Sequence, residues 1–210
     1  MAGIRLVVGL GNPGAEYEDT RHNAGFWLVD RLAADAGTTL RLENKFHGFL
    51  GRIRQGEHEC WLLKPTTYMN LSGRSVLAVA NFYRILPDEI LAVHDELDLE
   101  AGVIKLKRAG GHAGHNGLRD MIAHLGVPDF WRLRVGIGHP GDRAKVKDYV
   151  LHRPARDEQV AIDGSFDRAL KVWPMLLAGR AEAAMLALHT PEGKGPAAKA
   201  ARTAPVDKPD

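Results

Sequence analysis

The run "IRLVVGL", residues 4–10, is apolar apart from Arg5, without alternation, and reaches glycine at Gly9. A strand of that kind is buried, and a buried strand needs packing layers around it. The remainder of the chain has to supply them. "NAGFWLVDRLAADAG" places Phe26, Val29, Leu32 and Ala33 on one helical face, with Asn23 as the expected N-cap and Gly37 as the stop. "HGFLGRIRQGEHECWLLKP" reads as a hairpin turning at Gly56 and Glu57, and "SGRSVLAVANFYRIL" as a helix opened by Ser72. "EILAVHDELD", "GVIKLKRAGG" and "FWRLRVGIG" read as strands, and "LRDMIAHLG" as a helix. Residues 157–189 have a helical pattern, with interruptions expected at Gly164, Pro174 and Gly179. Strands alternating with helices predict an α/β fold: a single-domain three-layer sandwich, a twisted mixed β-sheet with helices on both faces.

A chain of 210 residues, 45% hydrophobic, buries one sizeable core, so one domain is expected over residues 1–190. Residues 191–210 are Pro/Ala/Lys-rich and cannot bury enough surface to offset ordering entropy, which predicts a disordered tail. The single cysteine, Cys60, excludes an internal disulfide and a Cys-rich zinc site. With no apolar run near membrane length and no signal-peptide layout in "MAGIRLVV", a soluble cytoplasmic protein is expected.

Gly9, Gly11 and Gly14 spell G-x-G-x-x-G, the dinucleotide fingerprint. That loop works only if a helix begins inside it and meets the pyrophosphate. Here Pro13 biases Asn12 away from helical dihedrals, and apolar helical spacing resumes only at Phe26. The glycines read instead as a sharp turn off the carboxyl edge of a sheet, and no nucleotide cofactor is expected.

That loop carries Asn12, Tyr17 and His22. His22 precedes a helix whose positive end would help to keep the imidazole neutral. The strand "AVHDELD" delivers Asp95 to the same rim, where it could accept the His22 Nδ1 proton and fix the tautomer. Glu96 and Asp98 read as solvated loop acids. "TYMNLSG" brings Met69 and Asn70, and "GGHAGHNG" brings His112, His115 and Asn116, each to the start of a helix. Plain N-capping is the alternative for both asparagines. Together Asn12, Asn70 and Asn116 suit a neutral polar substrate such as a peptide backbone, because an amide offers donor and acceptor without charge. No serine or cysteine stands in a nucleophile's setting, and Cys60 reads as core. Water, deprotonated by His22, is the remaining nucleophile. Net charge is +2 with a pI near 8.7, so clustering decides the partner. Lys105 and Lys107 share one strand face, Arg132 and Arg134 alternate likewise, and Arg143, Lys145 and Lys147 follow. A strip of that kind could hold nucleic-acid phosphates without reading bases.

The set "VGLGNPG", "TRHNAG", "TYMNLSG", "HDELD", "GGHAGHNG" and "RVGIGHPG", in this order, closely resembles the bacterial-type peptidyl-tRNA hydrolase family over residues 4–189. Ala113 stands where many members have glycine. The resemblance implies a monomeric esterase without cofactor or metal that cleaves the bond between a peptide and the 3′ ribose of tRNA. It implies His22 as general base and Asp95 as its orienting partner. Asn12, Asn70 and Asn116 would hold the water, the scissile carbonyl and the peptide, with Tyr17 and Met69 lining the cleft. Lys105, Lys107 and Arg134, with His115, would lie on the tRNA side. Residues 97–104 and 143–150 would form movable walls. Three other readings stay open: a metal-dependent hydrolase using His22, Asp95, His112 and His115, a silent RNA-binding relative, and a dinucleotide-binding domain.

Overall fold

The computed structural model describes residues 3–190; the tail expected over 191–210 lies outside the described residues. Seven strands form one sheet: β1 (Leu6–Gly9), β2 (Arg41–Glu43), β3 (Gly48–Gln55), β4 (His58–Pro65), β5 (Ile90–Glu96), β6 (Ile104–Arg108) and β7 (Trp131–Gly136). They lie in the order β2-β3-β4-β1-β5-β7-β6. The neighbours β4, β1, β5 and β7 are parallel, whereas β2, β3 and β6 join as antiparallel additions. The helices are α1 (Ala24–Asp35), α2 (Ser72–Tyr83), α3 (Asn116–Leu125), α4 (Val146–Val150), α5 (Arg156–Leu177) and α6 (Ala181–His189). None of the described helices is long and apolar enough to cross a membrane.

The unalternating run at the start is the central strand, as its composition requires. Val7 turns with Leu91, Val93 and Leu133 into a core shared with α1, α5 and α6. Leu6 and Val8 turn with Ile90 and Ala92 into a second core under α2 and α3. Each large apolar side chain fully buried there contributes on the order of 1.5–3 kcal/mol. The result is the expected three-layer sandwich. Cys60 is buried in the first core, where burial pushes its thiol far up and leaves it inert.

No helix begins inside the glycine fingerprint; the first helical turn starts at Arg21. Gly9 serves close packing instead, because a Cβ there would stand 2.5 Å from the Gly25 carbonyl oxygen at the start of α1. Asn23 stands at the expected N-cap position of α1 but makes no capping bond, because its side chain is drawn to the Asn12 backbone. The expected helix interruptions are corrected. The helix α5 runs unbroken through Gly164 and Pro174, and the break falls at Gly179. Pro174 sits on the exposed side near the helix end, where burial of Trp173, Leu176 and Leu177 outweighs the roughly 3 kcal/mol a proline costs. At the far edge of the sheet the Leu106 N–H donates to His189 Nε2, 3.0 Å away, at the end of α6.

Because β4, β1, β5 and β7 run in parallel, their carboxyl ends share one rim. Met69 follows β4, Asn12 and His22 follow β1, and Asp95 lies at the end of β5. The strand β6 runs the other way, so Arg108 lies beside Trp131 at the opposite rim. The glycine-rich segment after it must climb back to reach the cleft. Arg132, buried on β7, holds that segment by donating to the Gly110 and Gly111 carbonyls.

Candidate active site

A cleft of about 860 Å³ opens on this rim, and Asn12, His22, Met69, Asn70, His115 and Asn116 line it with Asp95. At its floor the Asp95 carboxylate, 4% exposed, accepts hydrogen bonds from two imidazoles. His22 Nδ1 lies 2.9 Å from Oδ1 and 3.0 Å from Oδ2. His115 Nε2 lies 3.0 Å from Oδ1. The tautomers follow from the surroundings. His115 Nδ1 accepts the Leu118 N–H at the start of α3, so the proton of neutral His115 is on Nε2 and points to Asp95. Neutral His22 donates through Nδ1 to the carboxylate, which leaves the Nε2 lone pair as a base.

Burial alone would raise the Asp95 carboxyl, but His22 and His115 together hold it far below the usual carboxylate range. For His22 burial is the largest single influence and pushes downward; the Asp95 charge and hydrogen bond oppose it and leave the imidazole above its ordinary value of 6.5. The expectation that the helix end keeps His22 neutral is thereby corrected, because a buried carboxylate in contact dominates the field of a short helical turn.

The amides are also set by their neighbours. Asn12 Oδ1 accepts the Met69 N–H at 2.8 Å, and its backbone is clasped by the Asn23 side chain. Asn116 Oδ1 accepts from Arg119 at 2.8 Å. Both acceptors are therefore occupied, and each residue keeps its Nδ2 donors. Asn70 lies exposed in the turn before α2. Neither it nor Asn116 is an N-cap: the caps are Leu71 and His115. Met69 packs at the cleft with 4% exposure, as expected of a side chain between core and site. Tyr17 is not among the residues that line the cleft; its ring is edge-on to that of Tyr68 at 6.4 Å, and Tyr68 is a lining residue.

Several contributors escaped sequence reasoning. His94 is 2% exposed, donates through Nδ1 to the Asp95 carbonyl, and leaves Nε2 buried without a partner. Burial and His115 push its imidazole down to about 3, so it stays neutral. Arg119 was signalled by its i+3 spacing from Asn116. Glu96 is not a solvated acid: it is buried at the end of β5 and paired with Arg134. Arg132 is likewise buried, not aligned in an exposed strip. Lys105 and Lys107 are exposed on β6 as expected. The Arg143–Val150 wall is tied at its end by buried Arg21, which donates to the Tyr149, His152 and Arg153 carbonyls and pairs with Glu158 at 2.6 Å.

His22, Asp95 and His115 also form a cluster of potential metal ligands. His112 is not part of it; its Nδ1 accepts the Gly114 N–H. A metal on His115 Nε2 would force the ring proton to Nδ1, against the Leu118 N–H. The donor set thus fits a hydrogen-bonded carboxylate better than a cation.

Ala113, in the same loop, adopts φ +46°, the left-handed region that costs a non-glycine residue about 1–2 kcal/mol. The departure from the glycine pattern is therefore felt in the backbone. Ala113→Gly is expected to raise stability by about 0.5–1 kcal/mol after the greater freedom of the unfolded glycine is subtracted. A rise in the urea midpoint at constant slope checks this.

A carboxylate-oriented imidazole under amide donors, at the switch edge of an open sheet, defines a hydrolase-type active site. The peptidyl-tRNA hydrolase family profile matches residues 6–196, and the chain belongs to this family. It is 60% identical over 190 residues to the peptidyl-tRNA hydrolase of Methylobacillus flagellatus, covering 90% of this chain and 98% of that protein. It is 57% identical over 195 residues to that of Cupriavidus metallidurans, covering 89% and 98%. The crystal structure of the Acinetobacter baumannii peptidyl-tRNA hydrolase superposes with a TM-score of 0.87 at 51% identity, covering 90% of this chain and 95% of that one.

Proposed function

We propose that this protein hydrolyses the ester between a peptide, or an N-acylated amino acid, and the 3′ ribose of tRNA, and so returns tRNA dropped from the ribosome to use. The observation that carries the reading is the contact of His22 Nδ1 with the Asp95 carboxylate in a residue that lines the cleft, an arrangement that leaves Nε2 as the base. His22 takes a proton from water, Asp95 orients the ring and stabilises the imidazolium, and the oxygen of water attacks the ester carbonyl. The tetrahedral intermediate collapses by breaking the bond to the 3′ ribose oxygen, which takes the proton back from the imidazolium and leaves as the tRNA hydroxyl, while the peptide leaves as its carboxylate. Asn12 lines the same cleft as His22 and keeps its Nδ2 donors, which suits the water or the developing oxyanion; one such donor contributes roughly 2.7–4 kcal/mol. Asn70 and Asn116 meet the peptide backbone, Met69 packs beneath it, and Tyr17 supports the wall through Tyr68. His115 acts at the carboxylate as well as at the substrate. Lys105, Lys107 and Arg134 contact tRNA phosphates from the adjoining sheet face. The chain acts as a monomer in the cytoplasm, with no resident metal.

The amide donors explain why the nitrogen of the substrate must be acylated. A peptide presents a carbonyl that accepts from them, whereas a free aminoacyl group presents an ammonium that adds only donors and positive charge. Mismatched polar groups in such a site lower kcat/KM by on the order of 10²-fold or more. N-acetyl-aminoacyl-tRNA and the free aminoacyl-tRNA, assayed side by side after exhaustive chelation, test this. Turnover of the acylated substrate alone is expected; equal rates, or loss of activity with the chelator, would reject the assignment.

A further inference from the structure

The β6–β7 pair sets like charges opposite one another: Lys105 faces Arg134, and Lys107 faces Arg132. Such pairs weaken a sheet; Arg132 is spent on the Gly110 and Gly111 carbonyls, and Lys105 with Arg134 is the pair that points to an external anion. Among the described residues, one of these four cations has a carboxylate partner. Arg134 Nε donates to Glu96 Oε2 at 2.8 Å. Glu96 is 9% exposed and follows Asp95 directly on β5. Its second oxygen accepts the Asp98 N–H at 3.2 Å, which anchors it from the turn. Burial pushes the Glu96 carboxyl upward, but the bonds from Arg134 and the Asp98 N–H hold it below its ordinary range and keep it charged. The Arg134 side chain remains 23% exposed, with its terminal nitrogens unbonded among the described residues.

Substrate and product carry the same tRNA phosphates. Affinity drawn from phosphates is therefore uniform: it binds the product as firmly as the substrate and slows its departure. We propose that Glu96 is a positioning residue, which aims Arg134 at RNA phosphate while cancelling its charge, so that the spent tRNA is held weakly enough to leave. This rests on the reading of Arg134 as a tRNA contact.

Glu96→Gln keeps the size and one acceptor oxygen, and removes the charge together with one of the two accepted bonds. Binding of deacylated tRNA, measured across salt concentrations, is expected to tighten, with a salt slope steeper by about 0.7–0.9. Between 200 and 50 mM salt the affinity ratio of variant to wild type then widens about threefold. In steady-state turnover across peptidyl-tRNA concentrations, KM and kcat both fall as release slows. Weaker binding or an unchanged slope overturns the proposal, because loss of structure does not tighten RNA binding. If E96Q fails to fold, E96D serves: it draws the carboxylate back from the guanidinium, and the same change is expected with smaller size. R134Q separates the two readings. It is expected to flatten the slope by a similar amount; an unchanged slope removes Arg134 from the RNA contacts. A flattened slope in R134Q with no steepening in the Glu96 variants removes Glu96 alone.

Discussion

His22→Ala loses turnover by a factor on the order of 10²–10⁴ or more, the usual contribution of a positioned general base, while tRNA binding stays within about twofold of wild type. The second half of the expectation follows from placement. His22 stands at the cleft floor against Asp95, whereas the exposed cations lie on the β6–β7 face. Single-turnover kinetics with N-acetyl-aminoacyl-tRNA and filter binding of deacylated tRNA measure the two halves separately. Retained turnover would remove His22 as the base, and lost binding would show that the residue holds the fold of the rim.

Asp95→Asn has a different signature. Two imidazole N–H groups converge on this carboxylate, from His22 Nδ1 and His115 Nε2. An amide has one acceptor oxygen, so one imidazole must face its NH₂ and turn or change tautomer. A rate loss on the order of 10²–10⁴-fold is expected, as for an orienting acid replaced by its amide. The pH profile provides the sharper check. In the wild type Asp95 holds the His22 imidazole above 6.5 against burial. The base works when deprotonated, so kcat/KM falls as pH drops through that raised value. Without the carboxylate only burial remains, and burial favours the neutral ring, so the acid limb moves to lower pH. A reduced plateau with a lower acid limb is expected; an unmoved limb would mean that another group titrates.

The sheet and the dyad were legible because their signals are short-range. A run of apolar residues without alternation, helical spacing and strand-end carboxylates each report on a single element. The pairing of His22 with Asp95 needed only that parallel strands end at one rim. What stayed hidden depends on contacts far apart in sequence. Asn23 stands at the N-cap position as its spacing indicated, but its side chain serves a clasp on Asn12 that crosses 11 positions. Glu96 looked solvated because its partner Arg134 lies 38 positions on. His94 gave no sign that burial would leave one nitrogen without a partner. The glycine fingerprint misled in the opposite direction: its letters match a phosphate loop, but its spacing serves the approach of Gly9 to Gly25. The direction of the His22 shift was also out of reach, since it is the balance of burial against one carboxylate.

The bond between the Leu106 N–H and His189 Nε2 bears on how the protein tolerates handling at its carboxyl side. The strand β6 is outermost in the sheet, and an outermost strand is a template on which foreign chains can self-assemble. One imidazole at the last turn of α6 occupies a rung of that template. Tags or cuts placed after residue 190 leave the rung filled, whereas removal of the final helical turn exposes a sticky border next to the lysines of β6 and invites oligomers.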